Sequence, residues 1–253
     1  MSTKIESKIN QLLKNTPYRS VILASWLVQQ GYSHGLQQKY IRSNWLESVG
    51  NGAFKRTGEA IDIFGALYAL QFQAGKAIHI GGRTALALLG YSHYIEMKQN
   101  ETILFAPQGF KLPVWFSNYN WNTTPVLLHT NMLPPDLALV EYSTKSFPVK
   151  ISSPVRAILE CFEMAPARFD LDEAWLIMEG LNALQPMQVQ ELLEKCRSVK
   201  AKRLFLYFAE KANHTWFKYL TLDKISIGKG KRSIVKQGTW IPKYQITVPK
   251  NLA

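Results

Sequence analysis

At 253 residues the chain exceeds one typical domain, and with 47% hydrophobic and 19% charged residues it has the apolar material for packed cores, which excludes a disordered chain. No apolar run approaches the roughly 18 residues of a membrane span. The formal net charge is +12 and unevenly spread: residues 1–75 carry eight Lys/Arg against four Asp/Glu, residues 76–194 eight against twelve, and residues 195–253 fourteen against two. Basic ends around a mildly acidic middle suit a protein that meets a polyanion at one or both ends.

The N-terminus, MSTKIESKINQLLKN, is polar and amphipathic and reads as no signal peptide. Ile5, Ile9, Leu12 and Leu13 form one stripe of a helix over 4–15 that Pro17 ends. A second helix is expected from Val21 to Gln30, closed by Gly31. Ser33 then caps a third, from His34 to about Ser43. On a helical wheel its Leu36 and Tyr40 point inward with Ile41 at the margin, while Gln38, Lys39 and Arg42 share the opposite face. Trp45–Val49 and Ala53–Arg56 flank Gly50-Asn51-Gly52, a hairpin signal. Three helices followed by a hairpin is the order of a winged helix. A fourth helix, about Ile63 to Gln73, ends at Gly75.

Beyond Gly75 the pattern changes. Ala77–Ile80 reads as a strand, Gly81-Gly82 as a turn and Arg83–Leu89 as a helix. Thr102–Ala106, Val114–Phe116, Pro125–His129 and Leu137–Tyr142 read as strands. Ser153 and Pro154 are the N-cap and first residue of a helix over 154–164, and helices follow over 171–183, 186–197 and 199–212. Strands return around Ile225, Ile234 and Tyr244–Val248, with Gly228-Lys229-Gly230 as a hairpin turn. The expected fold class is α+β: a winged helix-turn-helix over 1–75, then a mixed α/β domain over 76–253 with a basic C-terminal tail.

A recognition helix in a major groove pairs amide side chains with adenine and Arg or Lys with guanine. Gln38, Lys39 and Arg42 have that chemistry, and Ser33 and His34 at the helix N-terminus suit a phosphate. The wing offers Asn51 at its tip and Lys55 and Arg56 on its return strand, and no acid occurs in residues 33–46. In the tail, Lys229, Lys231, Arg232, Lys236 and Lys243 interleave with Trp240 and Tyr244 as additional polyanion contacts. Gly81-Gly82-Arg83 lacks the spacing of a phosphate-binding motif, and its glycines read as a tight turn. His34, His79, His93, His129 and His214 are scattered without metal-ligand spacing, and Cys161 and Cys196 form no CxxC pair, so neither metal nor disulfide is expected and a reducing cytoplasm fits. Asp170, Asp172 and Glu173 cluster where a helix begins and read as capping acids. No catalytic motif and no cofactor signature stands out.

A winged helix, then IHIGGRTALALLGY, then strands leading into ISSPVRAILECFE, a helical region and a GKGKRSIVKQG…KYQITVP tail resembles, over essentially the full chain, the AbiEi antitoxins of AbiE type IV toxin–antitoxin systems. The resemblance implies a non-enzymatic transcriptional autorepressor that binds inverted repeats in its own promoter as double-stranded DNA. It also implies a C-terminal domain that counteracts a nucleotidyltransferase-like toxin without a stable complex. Carried onto this chain, the DNA-binding role falls on the module with Gln38, Lys39, Arg42, Asn51, Lys55 and Arg56; no antitoxic residue transfers. Two other readings start from the same residues: a nucleic-acid- or nucleotide-acting enzyme with the tail as its groove, and a winged helix that docks a protein.

Overall fold

The computed structural model describes residues 7–91 and 100–253; Ile5 of the expected first helix and His93 lie outside them. One compact unit comprises Met1–His79, Gly109–Pro125 and Glu141–Lys150, so it holds more than the first 75 residues. Its first helix, α1 (Lys8–Asn15), is capped by the Ser7 hydroxyl, which accepts from the Asn10 amide. Strand β1 (Ile22–Leu23) comes next, where the sequence suggested the first turn of a helix; α2 is only Ala24–Gln29. The reason is tertiary: Ile22 and Leu23 pair antiparallel with Phe54 and Ala53, and both side chains are buried there.

Gly31 turns the chain at φ 82°, and Ser33 caps α3 (His34–Arg42) by accepting from the Leu36 amide, as its sequence predicts. Strands β2 (Leu46–Gly50) and β3 (Ala53–Arg56) form the wing, and the sheet order is β1-β3-β2. Leu12, Ile22, Leu27, Tyr32, Tyr40, Leu46 and Phe54 make the core beneath them. Helix α4 (Ile63–Tyr68), capped by Asp62, widens into a π-helical turn over Ala69–Gln73. That turn presents two glutamines as strand surrogates. Gln73 accepts from the Leu23 amide and donates to the Val21 carbonyl, both at 2.8 Å; Gln71 does the same for Lys150, at 2.9 Å each way.

Within this unit the segment 114–116, expected as a strand, is the start of helix α6 (Val114–Asn118).

 A strand would have sent Trp115 and Phe116 to opposite faces, whereas one helical turn after Pro113 buries both. Gly50 of the wing lies against it so closely that an added Cβ would fall 2.8 Å from Trp115 Cβ.

The second unit comprises Ile80–Gln108, Val126–Val140 and Ile151–Ala253. Within this unit, the residues that belong to it from strands β4 (His79–Ile80), β5 (Glu101–Ala106), β6 (Thr124–His129), β7 (Leu139–Ser143) and β8 (Pro148–Ser152) form a sheet in the order β6-β5-β4-β8-β7, with Ile80 and Ile151 in parallel register. The helices are α5 (Gly82–Leu88), α7 (Pro154–Met164), α8 (Leu171–Gly180), α9 (Pro186–Lys195) and α10 (Val199–Lys211). Ser153 and Pro154 start α7 as the sequence predicts, and Asp170 caps α8 by accepting from the Asp172 amide at 2.6 Å. Phe162 of α7 stacks on Phe208 of α10 with ring centroids 5.4 Å apart, in a core that leaves both rings fully buried.

The tail departs from expectation. Ile225 follows a 3-10 turn (Leu222–Lys224) and is in no strand; the short strands are β9 (Arg232–Ser233), β10 (Thr239–Ile241) and β11 (Ile246–Val248). Strand β11 pairs antiparallel with β10 and parallel with β9, so the hairpin closes over Pro242–Gln245 and Gly228-Lys229-Gly230 joins no pair of strands. Arg203 of α10 claims the carbonyls of Gly228 and Gly230 instead.

Candidate nucleic-acid interface

Two tight links aim α3. The buried Gln37 amide donates to the Ala24 and Tyr32 carbonyls at 3.2 and 2.9 Å, tying α3 to α2 and the turn between them. Tyr40 is buried on the same side, with Leu36 and Ile41 half-buried beside it. The opposite face is left to solvent: Ser33, His34, Gly35, Gln38, Lys39 and Arg42 are all exposed. Among the described residues the His34, Gln38, Lys39 and Arg42 side chains enter no protein hydrogen bond or ion pair. Gly35 adds a bare stretch, because a Cβ there would meet nothing within 4 Å. Gln37 escaped the sequence reading because its neighbour Gln38 has the same side chain, and only the wheel position separates a core amide from a surface one.

The wing is placed differently from its sequence reading. Asn51 is exposed at the tip. Lys55 is half-buried, with Nζ 3.4 Å from Glu47 across the hairpin and donating to the Glu59 carbonyl at 3.1 Å. Arg56, expected as a DNA contact, is drawn into the core. It is 8% exposed, donates to the Leu13 and Thr16 carbonyls, lies 3.6 Å from Glu59, and sits 4.4 Å under the Tyr18 ring. A cation so engaged is a brace between the wing and the end of α1. Arg56 is thus committed internally, whereas Lys39 and Arg42 on α3 stay exposed.

In the tail, Lys229, Lys231, Arg232, Lys236 and Lys243 are all exposed. Lys243 pairs with Glu210, and Lys231 lies 5.5 Å from the Trp240 ring centroid.

The Gly81-Gly82 turn does face an anion, but one supplied by the chain. Glu160 of α7 accepts from the Gly82 amide at 2.9 Å and from the Ser152 hydroxyl at 2.8 Å; its other oxygen takes Arg156 Nε at 2.9 Å. Arg156 also donates to the Pro134, Pro135 and Leu137 carbonyls, and both charged groups are buried. A Cβ on Gly81 would come 2.2 Å from the same carboxylate. The segment IHIGGRTALALLGY thus meets ISSPVRAILECFE through the Gly82 amide, which donates to the carboxylate of the internal Arg156–Glu160 pair.

Other reactive groups are quiet. Among the described residues no group of three His, Cys, Asp or Glu is placed to hold a metal. A cleft of about 460 Å³ is lined by Arg83, Glu101, Arg168 and Asp170 over an apolar floor, with Arg83 and Glu101 paired at 2.7 Å. Burial pushes the Cys196 thiol up to about 11 and the Cys161 thiol well above its ordinary range, so both stay protonated near neutrality. A folded-state value above the unfolded one means that the stabilisation is complete below pH ~9 and is lost as pH climbs toward 11. Cys196 alone is expected to account for about 2–3 kcal/mol of that loss. Denaturant titrations at pH 8, 9.5 and 11 should show a steep fall in wild type and a shallower one in Cys196→Ala.

The order of elements, the pairing of the wing and the outward face of α3 define a winged helix-turn-helix domain followed by a mixed α/β region. The chain belongs to the AbiEi family: residues 99–249 match the family model described as a transcriptional regulator, AbiEi antitoxin of type IV toxin–antitoxin systems, and residues 5–97 match the model of the AbiEi antitoxin N-terminal domain. It is thus a transcriptional regulator antitoxin of a type IV system. Its fold is similar to that of the RV2827C protein from Mycobacterium tuberculosis, with TM-score 0.57 and 17% identity over 94% of this chain and 88% of that one. No curated protein matches the chain. No helix among the described residues is long and apolar enough to cross a membrane.

Proposed function

We propose that the protein binds duplex DNA by laying α3 in the major groove and so represses its own promoter at inverted repeats. Residues 1–75 carry the DNA-contacting elements, and 76–253 the antitoxic function against a nucleotidyltransferase-like toxin, exerted in the cytoplasm without a stable complex or an enzymatic step. The observation that supports this reading best is the uncommitted, acid-free face of α3: Gln38 and Arg42 lie one turn apart with Lys39 beside them, all exposed and without protein partners. Gln38 suits an adenine edge and Arg42 a guanine, while Ser33, His34 and Asn51 suit phosphate or minor-groove contact. The membership of the family, whose description is that of a transcriptional regulator, supports the same assignment.

An electrophoretic shift with the protein's own promoter against scrambled DNA, at moderate salt, tests it. Specific retention is expected, and equal retention of both DNAs would remove the repressor reading. Arg42→Ala should weaken promoter binding by about 1–3 kcal/mol while leaving scrambled DNA much less affected, which is the signature of a base contact and not of a phosphate contact.

A further inference from the structure

The feature that the regulator reading leaves unused surrounds Arg203, in the middle of α10. Its side chain is fully buried, yet among the described residues no carboxylate meets it. Nε donates to the Ile227 carbonyl at 2.8 Å, Nη1 to Gly230 at 2.7 Å and Gln245 at 3.0 Å, and Nη2 to Gly228 at 3.2 Å. Carbonyl dipoles satisfy the hydrogen-bond donors of a buried guanidinium but do not cancel its charge. Burial, with Arg232 nearby, pulls the Arg203 pKa below its ordinary value.

Those bonds also orient the loop that carries the outer charges. In a trans peptide the N–H points opposite to the C=O, and the cis bond among the described residues is Ala165–Pro166, far along the chain. Drawing the Ile227, Gly228 and Gly230 carbonyls inward therefore turns the Gly228, Lys229 and Lys231 N–H groups outward. None of the three donates to a protein acceptor among the described residues. Gly228 and Gly230 stand at φ 67° and 83°, a backbone that L-residues resist, and such turns are how successive amides come to line an anion-binding concavity. The Lys229, Lys231 and Arg232 side chains are exposed around it, and residues 224–253 hold seven Lys/Arg and no Asp/Glu. Trp240 adds an exposed indole beside Lys231.

We propose that this loop is a binding site for single-stranded nucleic acid. The outward amides, with Lys229, Lys231 and Arg232, hold a backbone phosphate, and Trp240 stacks an unpaired base. An inorganic ion would use the cations but not the indole, and a duplex covers the base faces that an indole stacks on.

The test uses the full-length protein and fluorescence anisotropy with a labelled oligouridylate, alongside the promoter duplex. Wild type is expected to bind the single strand. Lys229→Ala/Lys231→Ala/Arg232→Ala should raise its Kd at least tenfold and flatten the salt dependence by about two units of slope, and Trp240→Ala should raise it at least fivefold. Promoter binding should stay within about threefold in both variants. All these side chains are exposed, and unchanged melting temperatures would show that the fold is kept. Absence of single-strand binding by wild type, unchanged binding by the triple variant, or an equal loss for single strand and duplex would each overturn the proposal.

Discussion

Glu160→Ala should destabilise the folded protein by about 3–5 kcal/mol, the penalty for leaving the Arg156 guanidinium buried without its counter-charge. Arg156 would keep its three carbonyl acceptors, and the Gly82 amide and Ser152 hydroxyl would each lose an acceptor in a site closed to water. Removing both charges, as in Arg156→Met/Glu160→Met, should cost less than Glu160→Ala alone, because no unpaired charge then remains. Guanidinium denaturation of the three proteins at pH 7 measures this. A loss below about 1 kcal/mol in Glu160→Ala would mean that the pair does not hold the Gly81-Gly82 turn to α7.

Gly35→Glu is expected to separate binding from stability. At this position a Cβ meets nothing within 4 Å, and the residue lies in the first turn of α3. A non-glycine residue gains helix propensity, about 0.5–1 kcal/mol, and an acid in the first turn favours the helix dipole. Stability should hold or rise slightly. Promoter binding should fall by at least a hundredfold, since the carboxylate would face phosphates at close approach and like charges so placed cost several kcal/mol. A gel shift and a thermal melt on the same preparation check both halves. A variant that melts normally and still shifts promoter DNA would show that α3 does not enter the groove.

Much of this protein is determined by the sequence alone, and what is legible there is local. Ser33, Ser153 and Asp170 announce helix starts because a cap acts on amides two or three residues away. Gly31 marks the turn before α3, and Asn51-Gly52 the wing tip, because their backbone needs are written in two residues. The exposed face of α3 follows from its period. The tertiary structure decided whatever depends on a distant partner. It put Ile22 and Leu23 into a sheet with β3, and it made one turn of helix around Trp115 and Phe116 to bury both rings.

It also decided which cations face outward. Arg56 and Lys243 look alike in sequence to Arg42 and Lys231, yet Arg56 reaches Leu13 and Thr16, about 40 residues back, and Lys243 reaches Glu210. The Gly81-Gly82 turn found its anion in Glu160, 78 residues from Gly82. Charge is a property of a residue, whereas its availability to a nucleic acid depends on what else the fold has brought within about 4 Å. The winged helix could therefore be read from the chain, while the Arg56 brace and the outward amides near Arg203 could be seen only once it was folded.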